Sequence, residues 1–544
     1  MKSGAALGIV AIASVAACSR GTAGVGGPAE QPPDGTIFDS GPDIVDTTVT
    51  PREDAGDAIT PPGRPPGGVF VHLFEWTWPD IAAECESFLG PKGFAAVQVS
   101  PPSEHAVLQG NPWWERYQTV GYGLDRSRSG TKVAFVDMVQ RCARAGVVIY
   151  VDAVINHMTG QVSGTGSNGT RFTKYSYPGL YGPSDFHMPT CTIMAQDYAS
   201  SASNVQNCEL LGLADLNTGA ESVETKIADY LIALVNVGVR GFRFDAAKHM
   251  SPADLDAIVT KVNLAVAPVV PYYFFEVVDY GGEAVKKSDY FDVGRSSQAV
   301  VDVTEFKYGG VDDYFLNRNA KTISGLMTLS ESTWGLIPSE RAVVFTNNHD
   351  TQRDTAIYYK DAPYYDLANA FMLAWPYGHP SVMSSFAFDR STQAGRDWGP
   401  PSDSAGNTTP VYTAGTPSCA AVPSSAPVGT WVCEHRARAV ANMVAFRRAV
   451  GTSAVTNLWN NGKNQLAFGR GDRGFVVINR EDASLTRALM TGLAQGTYCD
   501  VIGGDFSGGG CTGARIDVDA TGVTNVDLPA NTALAIHAEA KLAP

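Results

Sequence analysis

Between residues 68 and 450 the chain alternates short apolar runs with longer amphipathic stretches. The short runs fall at 69–74, 95–99, 147–154, 241–245, 272–278, 301–306, 342–346 and, less sharply, 371–384. Apolar runs of this length between turn residues read as strands buried on both faces. Several intervening stretches carry apolar residues at helical spacing. In 227–237 these are Ile227, Leu231, Leu234 and Val235. Strands alternating with helices in this way predict an α/β fold, a (β/α)8 TIM barrel over 68–450, with its active site at the C-terminal ends of the strands. One connection, 156–217, is too long for a barrel loop and is rich in Gly, Ser and Tyr. It predicts a small inserted domain after strand 3, at about 157–217. Beyond about 450 the helical pattern stops. Runs at 465–468, 474–478 and 532–537 with Gly-rich turns predict a C-terminal all-β sandwich over 451–544.

The N-terminal part differs in kind. Lys2 precedes an uncharged run, 4–17, too short to cross a bilayer but suited to the core of a signal peptide. It ends in Val15-Ala16-Ala17-Cys18, which resembles a bacterial lipobox. Residues 1–18 are therefore expected to be a signal peptide with lipidation of Cys18; plain cleavage after Ala17 is the alternative. Residues 19–67 hold nine Pro, nine Gly and eight acids, too little apolar surface to fold, and read as a disordered tether. Eight further cysteines, an even number in an exported chain, suggest disulfides, although they allow on the order of a hundred pairings. No CxxC spacing points to a zinc cluster. The formal net charge of −15 argues against nucleic acid or an anionic membrane surface as partner, and leaves a neutral polymer open. A membrane is expected only through the lipid anchor.

Three acids end apolar runs: Asp245 in GFRFDAAKH (241–249), Glu276 in YYFFEVVD (272–279) and Asp350 in AVVFTNNHD (342–350). Acids at the ends of neighbouring strands converge at one mouth of the barrel. Converging carboxyl groups are what glycosidic cleavage needs, one to attack and one to protonate. Arg243 lies two residues before Asp245, on the same strand face, where it can hold that carboxylate ionised.

The strings VHLFEWTW (71–78), GPKGFAAVQVSPP (90–102), PWWERYQ (112–118), YVDAVINHM (150–158), GFRFDAAKHM (241–250), TEFKYG (304–309), TNNHDTQR (346–353), VCEHRARAVANMVAFR (432–447) and FGRGDRGFVVIN (468–479) resemble α-amylases, most of all the animal-type branch and its bacterial relatives. The likeness runs from about residue 69 to the end. It implies Asp245 as nucleophile, Glu276 as general acid/base and Asp350 as the third acid that stabilises the transition state. Glu276 would hold its proton through neighbouring negative charge and partial desolvation. His157 and His349 match residues that hydrogen-bond glucose hydroxyls. Trp113, Trp114, Tyr117 and Gln118 match the aromatic edge of the substrate site. Trp114 and Tyr117 are the expected stacking platforms, whereas Trp113 also reads as a packed turn. Lys248 and His249 would reach the aglycone side, and Arg243 belongs with the residues around the substrate.

The resemblance also implies a structural Ca2+ held by the Asn156 side chain, the Asp215 carboxylate and the backbone carbonyls of Gln206 and His249, an oxygen set suited to a hard cation. Gln206 stands where close relatives carry Arg, which a carbonyl ligand tolerates. For the animal-type chloride site, Arg243 and Asn348 match two ligands, but Ser381 in GHPSVMSSF (378–386) replaces the second cation. Losing that charge removes much of the attraction for an anion, so chloride dependence is expected to be weak or absent. The implied disulfides are Cys85–Cys142, Cys191–Cys208, Cys419–Cys433 and Cys499–Cys511, while Asp125 stands where vertebrate members have another Cys.

Together these imply a monomeric bacterial α-amylase, exported to the cell surface as a lipoprotein or secreted to the extracellular space. It would cleave internal α-1,4-glucosidic bonds of starch and glycogen with retention. A transglycosylating or exo-acting α-glucan enzyme on the same site is the near alternative. A non-catalytic glucan-binding surface lipoprotein is the distant one, since binding has no need of three acids.

Overall fold

The computed structural model of the protein describes Arg64 and residues 67–543. The signal peptide, Cys18 and nearly all of the tether lie outside the described residues. Eight strands, β1 (Phe70–Leu73), β2 (Ala96–Val99), β3 (Val148–Ala153), β4 (Gly241–Phe244), β5 (Tyr272–Phe275), β6 (Val300–Thr304), β7 (Ala342–Val344) and β8 (His379–Ser384), form a closed barrel. Each pairs in parallel with the next, and β8 returns to β1.

Around it lie α1 (Trp78–Glu84), α2 (Lys132–Arg144), α3 (Glu221–Asn236), α4 (Pro252–Val266), α5 (Tyr364–Ala374) and α6 (Arg438–Val450). Helix α4 shows why such segments fold locally. Ser251 caps it by accepting from the Asp254 amide, Pro252 opens its first turn, and Leu255, Ile258, Val259 and Val262 make one buried face. The eighth run departs from expectation. Residues 371–374 close helix α5 and only His379–Ser384 is strand. An apolar run buried on all sides has no periodicity that separates helix from strand.

Inside the barrel, alternation turns Phe70, Tyr150, Tyr272 and Phe274 into a packed lower layer. Gly241 is required there, because a Cβ would stand 2.5 Å from the Tyr150 ring. The layer above is polar, with His72, Gln98, Asp152 and Arg243 all buried. At the N-terminal mouth Arg64, within the stretch read as tether, pairs through Nε with Asp302 at 2.8 Å and donates to the Glu340 carbonyl at 2.8 Å. Tyr272 donates to the same carboxylate at 2.6 Å.

The insertion after β3 is closed at its stem, where His157-Met158 pairs antiparallel with Ala214-Asp215. The C-terminal region is all β. Strands Val455–Asn460, Gln465–Arg470, Gly474–Asn479 and Thr532–His537 form one antiparallel sheet. A second layer, the antiparallel pairs Leu485–Met490 with Val523–Leu528 and Gly496–Cys499 with Arg515–Val518, packs on it through Phe475, Leu485, Val526 and Ile536. Disulfides join Cys85 to Cys142, Cys191 to Cys208, Cys419 to Cys433 and Cys499 to Cys511.

Candidate active site

A cleft of about 690 Å³ opens at the C-terminal ends of the strands, and Asp245, Glu276 and Asp350 all line it. Beneath them sits Arg243. Its Nη1 donates to Asp152 Oδ1 at 2.6 Å and Asp245 Oδ1 at 2.9 Å, and its Nη2 to Glu276 Oε1 at 2.5 Å. The Ala246 amide donates to Glu276 Oε2 at 3.0 Å. Arg243 therefore does not line the cleft, and would meet a substrate only through the carboxylates it holds.

Four acids around one guanidinium cannot all ionise cheaply in a dry site. Burial is the largest cause holding the Asp245 carboxyl well above its ordinary range; Arg243 pulls it down, while Glu276 and Asp152 push it up. Asp350 is pushed up to about 7, by burial first and then by Glu276. Arg243 does hold Asp245, as its place two residues earlier on the strand suggests, but not Asp245 alone. The cation is shared three ways, and burial with mutual repulsion raises Asp245 and Asp350 above their ordinary range.

His349 lies between the rings of Tyr117 and Phe74, with centroids at 5.1 and 5.0 Å, and its Nε2 is 3.3 Å from Asp350 Oδ2. Burial keeps its imidazole neutral, well below its usual pKa. His157 is likewise buried and lowered to about 4; its Nε2 meets the Tyr117 carbonyl at 3.1 Å and its Nδ1 the Asn156 amide nitrogen at 3.3 Å. Both histidines line the cleft. So do Trp113, Trp114, Tyr117 and Gln118. Tyr117 donates to Asp152 Oδ2 at 2.9 Å, and Gln118 Oε1 braces the 159–160 turn through Thr159 Oγ1 and the Gly160 amide. Trp113 is the most enclosed of the aromatics here, 4 % exposed and packed under the Arg353 guanidinium. Lys248 is tied to the Val278 carbonyl at 2.6 Å and to Glu283, and the His249 ring Nδ1 meets the Val205 carbonyl at 2.9 Å.

Of the residues implied for Ca2+, Asn156 and Asp215 stand at the stem of the insertion, and the His249 ring meets the Val205 carbonyl next to Gln206. The Asn156 Nδ2 is turned to His157, and its Oδ1 is buried with no partner among the described residues. An acceptor oxygen orphaned in this way fits a cation. Burial raises Asp215 to about 6, with His187 Nδ1 2.7 Å from its Oδ2. No group of three or more His, Cys, Asp or Glu among the described residues is placed to hold a metal, and one carboxylate with an amide and carbonyls is a different kind of set. Arg243, Asn348 and Ser381 line a small cavity of about 20 Å³ in the barrel's polar layer. The one Arg or Lys among its lining residues, Arg243, is already engaged by three carboxylates, and Ser381 brings no charge.

Asp152 is the functional residue that the sequence reading missed. It sits inside the run 147–154 and not at its end, although it shares the inward face with Tyr150. Tyr198, Tyr280 and Glu283 also line the cleft. Tyr198 comes from a four-residue helix, Asp197–Ser200, and Tyr280 and Glu283 from an irregular loop, segments too short or irregular for a periodic signal to mark them.

Comparison with known proteins agrees with this architecture. The α-amylase catalytic-domain family model matches residues 99–263, and the model for the α-amylase C-terminal all-β domain matches 456–539. Pancreatic α-amylase 2a5 of Mus musculus is 44 % identical over 500 residues, 87 % of this chain and 94 % of the relative. Human α-amylase 1B is 44 % identical over 502 residues with the same coverage. A crystal structure of a mutant of α-amylase I from Eisenia fetida, in complex with maltohexaose, superposes with a TM-score of 0.78 at 40 % identity, over 87 % of this chain and 98 % of that one. With this identity sustained through both barrel and C-terminal domain, the chain belongs to the α-amylase family.

Proposed function

We infer that the protein is an α-amylase, a glycoside hydrolase that cleaves internal α-1,4-glucosidic bonds of starch and related glucans with retention of configuration. The observation that carries this is the trio Asp245, Glu276 and Asp350 gathered over Arg243 in one aromatic-walled cleft. Asp245 attacks the anomeric carbon and forms a glycosyl ester; Arg243 holds Oδ1, leaving Oδ2 for the new bond. Glu276 gives its proton to the departing glycosidic oxygen, then takes one from the water that hydrolyses the ester. Two carboxylates gripped by one guanidinium fit the close spacing of a retaining pair. Asp350, with neutral His349 beside it, accepts the sugar hydroxyls and favours the positive charge that develops on the ring. Trp114 and Tyr117 serve as stacking platforms on the wall after β2.

Asn156, Asp215 and the carbonyls of Gln206 and His249 would hold Ca2+, which when bound braces the insertion against the barrel. The four disulfides fit an oxidising, exported setting. Lipidation of Cys18 would tether the enzyme at the cell surface, and loss of membrane association in Cys18→Ser tests it. For the activity, reducing-end release from soluble starch is measured for the full chain and for Glu276→Gln. A loss of about a thousandfold or more is expected when the acid is removed. Equal rates would overturn the site.

A further inference from the structure

Among the described residues, Tyr280 is the one exposed aromatic that lines the cleft; it is 45 % exposed, where the other cleft aromatics are buried or half-buried. It lies four residues after Glu276, in the loop that leaves β5. That loop is held firmly. The buried Asp279 accepts from the Gly281 amide at 2.7 Å and from the Lys287 amide at 3.2 Å. Gly281 and Gly282 take φ of +100° and +82°, a turn closed to most side chains. Lys248 clamps the same loop through the Val278 carbonyl and Glu283. The ring of Tyr280 meets Phe306 at 6.4 Å and 69°, a geometry that covers at most one of its faces. Phe306 in turn meets Phe345 at 5.2 Å, so an aromatic row supports the ring from below.

A large aromatic held partly in water by a braced turn has lost entropy and gained only part of the burial its ring can make. A ligand with a flat apolar face reverses that balance. We propose that Tyr280 is a stacking platform for the leaving-group side of an α-glucan chain, a determinant of substrate length opposite the Trp114–Tyr117 wall. This rests on the α-amylase reading above. Glu276 protonates the leaving oxygen, so the leaving sugars lie along the wall that continues from Glu276, past Val278 to Tyr280 and Glu283. Trp114 and Tyr117 follow β2 while Tyr280 follows β5, three strands away around an eight-stranded barrel, hence across the mouth.

The test is maltoheptaose binding by calorimetry in the full-length, hydrolysis-blocked Glu276→Gln protein, with and without Tyr280→Ala or Tyr280→Phe. Removing one ring face of apolar contact should weaken binding about tenfold for Ala, and by less than about twofold for Phe. In the active enzyme, Tyr280→Ala should raise KM for maltoheptaose by a similar factor with kcat nearly unchanged. Unchanged affinity in the Ala variant overturns the platform alone. A Phe variant as impaired as Ala also overturns it, because the hydroxyl and not the ring face would then carry the contact. If Glu276→Gln does not bind maltoheptaose at all, the α-glucan reading falls and the platform with it.

Discussion

Arg64→Ala should destabilise the barrel in a manner that depends on pH. Asp302 is fully buried beneath the barrel, and the Arg64 side chain keeps 18 % of its exposure. Removing one partner of a buried pair costs about 3–5 kcal/mol, and Arg64's residual contact with water places the expectation near 3 kcal/mol. Burial, the largest cause, pushes Asp302 up from 3.8 to about 6, while Arg64 and Tyr272 pull it down. A folded pKa above the unfolded one means that the folded state binds the proton more tightly. The ionised carboxylate therefore disfavours folding as pH rises from about 4 to 6, by roughly 3 kcal/mol. Without Arg64 the proton is held to still higher pH. Near pH 5 both proteins keep Asp302 neutral and the variant's deficit is small; above pH 6 only the parent has a cation to meet the emerging charge, and the deficit opens. Urea unfolding of the full chain at about pH 5 and about pH 8 measures this. Asp302→Asn supplies the other corner of a double-mutant cycle, and the double variant should lose less at pH 8 than Arg64→Ala alone. Equal deficits at both pH values, or strictly additive effects, would refute the pairing as the cause.

Three further outcomes are expected. Chelation of Ca2+ should lower the unfolding free energy, by as much as about 4 kcal/mol where the ion had stood a thousandfold above its Kd, seen as a lower midpoint in urea, and Asn156→Ala should abolish most of that response. Dialysed enzyme should retain most of its activity without chloride, and a large recovery on adding chloride would contradict the assignment of Ser381. Burial and mutual repulsion favour the protonated form of the carboxylate cluster, with Asp350 pushed up to about 7 and Asp245 held well above its ordinary range, so kcat/KM should fall on the alkaline side as the cluster gives up its protons, a property of the cluster and not of one residue.

Much of this was legible in the chain. Strand-length apolar runs and helical spacing marked seven of the barrel strands closely, because those patterns depend on near neighbours. The strand-end positions of Asp245 and Glu276 marked the cleft for the same reason, whereas Asp350 stands six residues beyond Val344, the last residue of β7, at the start of a 3-10 turn. The eighth strand was blurred, since residues 371–374 are buried helix and wholly apolar burial erases the period. Asp152 was passed over within its run. The disulfide pairings came from family resemblance, not from spacing.

Only the tertiary structure decided the rest. Arg64 finds Asp302 across 238 positions of chain, Arg243 divides itself among carboxylates from three strands, and Tyr280 stays 45 % exposed although its ring meets Phe306. Local patterning sets which face of an element is buried. The sharing of one cation among several acids, and the exposure of one ring, depend on which elements barrel closure brings together and on how much water it leaves between them.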